Sequence, residues 1–202
     1  RPQQPLNQQV TQMNTSVVPD RPWLDLSYQL VGLIFPLVPV ALGLYLLSVF
    51  QRPSDGPFRT MGWDLRRPGF DWGWGCAILA IIGIPGIGLY LGARAMGFNT
   101  IVQPANLADN WWTVPVLIGA AAMNAVLEEV LMIGYLFTRW AQTGGRMWVI
   151  VLVSALVRGS YHLYQGFGGF VGNLIMGLAF GWLYLRFKRV GPLVVAHFLL
   201  DL

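Results

Sequence analysis

From Leu26 to Phe50 the chain runs for 25 residues without one charged side chain. A stretch of that length, wound as a helix, is long enough to cross about 30 Å of hydrocarbon. Further apolar runs follow at Trp72 to about Ala93, Thr113 to Thr138, Met147 to about Leu163, Phe170 to Leu185, and from Pro192 onward. The expected fold is therefore all-α, a polytopic helical membrane protein with about six transmembrane helices. Pro36 and Pro39 should kink the first of them, because each lacks the N–H that a helix interior needs. Residues 1–25, rich in Gln, Asn, Pro and Thr, read as a mobile polar N-terminal arm, with Trp23 as an interface anchor. Residues 26–202 form the helical membrane domain. Both ends of the sequence read as truncated.

Charged residues make up 11% of the chain, against about 25% in a soluble domain. The net charge of +4 does not signal nucleic-acid binding, because nine of the 13 Lys and Arg residues fall in three short loops, 51–71, 139–146 and 186–189. Only Arg1, Arg21 and Arg94 fall in the arm and the alternate loops. That asymmetry places the three basic loops in the cytoplasm. It suits a multi-pass protein of the bacterial plasma membrane, with the lipid bilayer as its constant partner. The single cysteine, Cys76, excludes an intrachain disulfide and a cysteine-based zinc site, and reads as a buried, inert thiol. Gly88/Gly92 and Gly177/Gly181 have the GxxxG spacing that lets another helix approach closely. Trp111 and Trp112 read as an interfacial belt.

Against this apolar background, Glu128 and Glu129 are the only glutamates, and they stand side by side inside the third run. Carboxylates at bilayer depth cost several kcal/mol, so they mark a site that uses or partners them. The only two histidines, His162 and His197, also lie in apolar runs. Asn124 precedes Glu128 by four residues and shares its helix face, as Asp201 shares that of His197. Adjacent helix positions are rotated by about 100°, so Glu128 and Glu129 are expected to face different partners. From the residues alone three readings stand: a site for chemistry, a polar clamp between helices, or a carrier site for a proton or ion.

The ordered set Glu128-Glu129 with Gly134-Tyr135-Leu136, then His162, then His197-xxx-Asp201, resembles the three motifs of the CAAX prenyl endopeptidase and bacteriocin-processing (Abi, or CPBP) intramembrane proteases. The resemblance covers Trp111 to Leu202, so the catalytic core is expected at 111–202. It implies an endopeptidase acting on membrane-associated peptides or lipidated proteins, CAAX-like tails or leader peptides, through a site expected to open towards the cytoplasm. Carried over, Glu128 is the general base that activates a water and His162 helps to hold that water. His197 and Asp201 stabilise the oxyanion, with Asp201 preferred as the acceptor that orients His197. Glu129 completes the catalytic set, and Arg158 and Asn124 support it. Other readings on this scaffold are an inactive immunity or scaffold member of the family, and a proton-coupled transporter.

Two departures from the family pattern are paired. The family's Arg four residues after the second glutamate is Ile133 here, and its Phe four residues before the second-motif histidine is Arg158. Arg158 is therefore expected to reach across from the fourth run to Glu129. Glu128, His162 and His197 are candidate ligands for one divalent metal such as zinc, with water in the fourth position. A metal-free glutamate mechanism uses the same residues and is preferred.

Overall fold

In a computed structural model, which describes residues 4–50 and 56–202, the chain is an integral membrane protein built mostly from helices. Arg1 and Arg52, counted above among the loop cations, lie outside the described residues. Helix α1 (Pro22–Val49) is long and apolar enough to cross a membrane. A tight 3₁₀ turn at Phe35–Leu37 interrupts it, where Pro36 and Pro39 withhold their amide donors. The short α2 (Pro57–Met61) leads into α3 (Pro68–Ala95), with a wide π turn at Leu79–Gly83 just before Pro85. Then come α4 (Thr113–Gln142), α5 (Met147–Tyr161), α6 (Phe167–Phe187) and α7 (Gly191–Asp201).

The helical membrane architecture matches the expectation, without confirming the count of six spans. Among the described residues, four helices (α1, α3, α4 and α6) have the length and composition to span. α5 has 15 residues, which at 1.5 Å per residue is about 22 Å. α5 stops where His162 leaves the helical region, and Gly166 turns the chain into α6 at φ 106°, a conformation that favours glycine.

The polar arm also differs from expectation. Strand β1 (Val10–Thr15) pairs in parallel with β2 (Ile101–Asn106), with Val10 opposite Ile101 and Thr15 opposite Asn106. Asp25 fastens the arm to α1 by accepting the N–H groups of Val17 and Val18 at 2.7 and 3.1 Å. Thr100 donates its N–H to the Gln165 carbonyl at 3.0 Å, and Gly169 donates to Asn99 Oδ1 at 3.0 Å. The strands and the α5–α6 crossing thus share one end of the bundle, with Trp23 and Trp111 edge-on at 6.5 Å beside them. Trp112, expected in the interfacial belt with Trp111, is instead buried.

At the other end Arg189 clamps the basic loops together. It meets Asp71 through two nitrogens at 2.9 and 2.8 Å, and Asp64 at 3.1 Å. Between the ends, Val40, Leu47, Ile133, Phe137, Ile150, Phe180 and Leu193 form the core. Large apolar side chains such as Ile81, Ile84, Ile87 and Trp182 point outward, the arrangement a hydrocarbon solvent favours. Cys76 is exposed on α3 rather than buried, because α3 packs through its neighbour Gly75 against Val195 of α7. Of the two GxxxG pairs only the second joins helices: a Cβ at Gly177 would lie 2.8 Å from Ala155 Cα, whereas Gly88 and Gly92 have nothing within 4 Å.

Candidate active site

α4, α5 and α7 bring their scarce polar side chains to one place about midway along α4. At Glu129 the α4 backbone widens into a π turn that runs to Tyr135, a feature frequent at functional sites. The wider turn reduces the rotation between successive residues. With the reach of two glutamate side chains, it lets both carboxylates meet one cation, contrary to the expectation of separate partners. Arg158 Nη2 lies 3.0 Å from Glu128 Oε2 and also bonds Glu129 Oε1. The arginine is buried and comes from α5, while Ile133, at the family's usual arginine position, sits in the apolar core. The guanidinium also lies over the Phe180 ring, 5.3 Å from its centroid.

His197 on α7 completes the inner part of the cluster. Its Nδ1 is 2.7 Å from Glu129 Oε1, so Nδ1 carries a proton and donates it to the carboxylate. Its Nε2 is 3.6 Å from Asp201 Oδ2, beyond hydrogen-bond length. Asn124 of α4 lies beside Asp201. His162 Nδ1 lies 2.9 Å from the Arg158 carbonyl. Since a carbonyl only accepts, His162 is protonated on Nδ1 and carries its lone pair on Nε2.

Tyr161 is a member of the cluster that the motifs did not point to: its hydroxyl donates to Glu128 Oε2 at 2.6 Å. The only sequence signal was its place beside His162, and an aromatic at a helix end reads equally as an interface anchor. Both bonds to Glu128 from Tyr161 and Arg158 fall on Oε2, which leaves Oε1 for a small polar guest.

The metal-ligand set differs from the expected one. Ligand atoms of Glu128, Glu129 and His197 lie within 4.8 Å of one another, and His162 is outside that group. The same three side chains converge on Arg158 Nη2, which is 3.3 Å from His197 Nδ1 as well as bonded to both glutamates. A cationic nitrogen thus fills the centre that a divalent ion would need, and the donor set does not fit a metal.

What this arrangement can do chemically is hold the Glu128 carboxylate in one orientation, with one oxygen fixed by two donors and the other available. Residues 110–202 match the family model described as type II CAAX prenyl endopeptidase Rce1-like. No curated protein and no solved structure matches the chain.

Proposed function

We propose, from the match of residues 110–202 to the type II CAAX prenyl endopeptidase Rce1-like family model, that this chain is an intramembrane endopeptidase in which Glu128 activates a water against a peptide carbonyl. The observation that carries the reading is the asymmetric hold on Glu128. Arg158 and Tyr161 both bond Oε2, at 3.0 and 2.6 Å, so the carboxylate is oriented with Oε1 free to take a proton. Water adds to the carbonyl carbon, and its proton passes to Glu128. The C–N bond then breaks as Glu128 returns that proton to the leaving amine.

The two imidazoles serve the rest of the cycle. His162, with its lone pair on Nε2, accepts a hydrogen bond from the attacking water. His197 takes part as an imidazolium: with Nδ1–H committed to Glu129, its Nε2–H serves the developing oxyanion, where a donor stabilises the transition state more than the ground state. Glu129, at 2.7 Å from His197 Nδ1, orients that ring in place of Asp201. Arg158 bonds both glutamates and so holds the pair in one arrangement between turnovers. The substrate class is a membrane-associated peptide or lipidated protein, and the setting is the bacterial plasma membrane.

Cleavage of a membrane-anchored reporter peptide by the purified protein in detergent tests this. Glu128→Ala and His162→Ala should each abolish cleavage while leaving the thermal melt of the protein cooperative. Wild-type protein that folds but cleaves no member of a diverse peptide library would instead mark an inactive scaffold.

A further inference from the structure

His162 is anchored through one nitrogen. Its Nδ1–H donates to the Arg158 carbonyl at 2.9 Å, and a single N–H···O bond tolerates a swing of the ring by some tens of degrees. The side-chain torsion adds little restraint, because the last torsion of a histidine has a broad minimum. The plane of the ring, and with it the direction of the Nε2 lone pair, must be set by what lies against its faces. Two aromatic rings do so. Tyr161 has its centroid 4.7 Å from that of the imidazole, and Tyr164 is stacked on it at 6.0 Å with 25° between the planes. Tyr161 is itself fixed by Glu128, so one flank of the ring belongs to the site already described.

The other flank is held from the opposite end of the sequence. Tyr164 lies in the 3₁₀ turn Leu163–Gln165 that follows α5. Its hydroxyl donates to Met13 Sδ at 3.4 Å and accepts the Gln165 Nε2–H at 3.0 Å. Its carbonyl accepts the Thr11 hydroxyl at 3.3 Å. Thr100, just ahead of β2, bonds that same hydroxyl at 2.6 Å and donates its N–H to the Gln165 carbonyl at 3.0 Å. Thr11 and Met13 are two residues apart and share one face of β1, and that face is applied to the turn. The family match begins at residue 110, so Thr11, Met13 and Thr100 all lie outside it.

We propose that β1 is a working part of the active site: through Thr11 and Met13 it holds Tyr164, and Tyr164 sets the plane of the His162 ring. Tyr164 is thus a positioning residue, and the N-terminal strand supports a histidine some 150 residues further along the chain. The use of His162 to hold a water rests on the hydrolytic reading above; the placement of its ring does not. A ring left free to swing would carry Nε2 off its line to that water, and small misplacements of a reacting group cost up to about 100-fold in rate.

The chain has only two histidines, so isotope-labelled histidine in the detergent-solubilised protein gives two sets of ring signals by NMR, assigned with His162→Gln. Thr11→Val removes the hydroxyl and keeps a branched side chain suited to a strand. Tyr164→Leu removes the ring. Each should move the His162 signal, leave that of the buried His197 in place and keep a cooperative melt. Each should also lower kcat for the reporter peptide with KM little changed, Tyr164→Leu by up to about 100-fold. Asn14, on the other face of β1, donates to the Pro104 carbonyl at 2.9 Å. Asn14→Ala loosens the same strand pair and should change neither readout. A His162 signal unmoved by Thr11→Val and Tyr164→Leu, or moved as far by Asn14→Ala as by Thr11→Val, would overturn the proposal. So would a moved signal with kcat unchanged. Wild-type protein that cleaves nothing defeats the hydrolytic reading alone, and the histidine signals then decide the placement by themselves.

Discussion

Tyr161 donates its hydroxyl to Glu128 Oε2 at 2.6 Å across the α4–α5 interface. The bond joins the last residue of one helix to the middle of another, and it fixes the orientation of the carboxylate to which the general-base role is given. Hydrogen bonds to charged groups contribute about 1.5–3 kcal/mol. Tyr161→Phe should therefore lower kcat at least tenfold with little change in the melting temperature. Steady-state cleavage in detergent, beside a thermal melt, checks both halves of that expectation.

Arg158 carries a different kind of burden, because among the described residues it is the only cation bonded to the enclosed Glu129 besides the His197 ring. Breaking a buried pair from one side costs about 3–5 kcal/mol. Arg158→Met should destabilise by that order, and adding Glu129→Gln should restore part of the loss. A double-mutant cycle on denaturation midpoints measures the recovery. Independent, additive losses would show that the two residues are not coupled.

Zinc should do nothing for the folded protein. The nitrogen of Arg158 stands where the carboxylates and His197 converge. Added zinc should leave the melting temperature of the wild type unchanged, and chelators should leave cleavage unchanged. Metal analysis of the purified protein gives a second readout.

At the basic end, burial works to raise the Asp64 carboxyl, but the Arg66 N–H and the Arg189 guanidinium outweigh it and hold the group below its ordinary range. A carboxyl so lowered adds stability above the ordinary carboxylate pKa and loses it as pH falls through the folded value. Melting temperature should drop on acidification below the ordinary carboxylate range. Asp64→Asn should flatten that part of the curve, which a melting series against pH will show.

Gly177 is the contact that sets how closely α6 approaches α5, with a Cβ there meeting Ala155 Cα at 2.8 Å. Gly177→Val should force the helices apart and cost about 1–3 kcal/mol or more. The same change at Gly88, where nothing lies within 4 Å, should be nearly neutral. Paired thermal melts make the comparison.

Much of the helical scaffold was legible because long uncharged runs leave few alternatives, and helix spacing alone put Asn124 with Glu128 and His197 with Asp201. The π turn at Glu129 was not, because no residue pattern distinguishes a wide turn from an ordinary one inside an apolar run. It is the reason one arginine reaches both glutamates. Nor were the strands readable: Val10–Thr15 is short and polar, and its partner lies beyond α3. The end of α5 was likewise hidden, since hydropathy continues through Tyr161 and Leu163 while the helix stops at His162. Arg158 was visible as an oddity, and its three-way convergence with both glutamates and His197 needed coordinates.

The parallel pairing of β1 with β2 has a consequence for how the molecule is completed. Val10 cannot meet Ile101 until α1 and α3 have crossed and returned, and the second strand then leads straight into α4. During synthesis the segment ahead of the first helix must wait, unzipped, on its own side of the bilayer. That end of the bundle is thus completed late, and until the two strands pair the membrane holds a set of inserted helices with one edge unfastened.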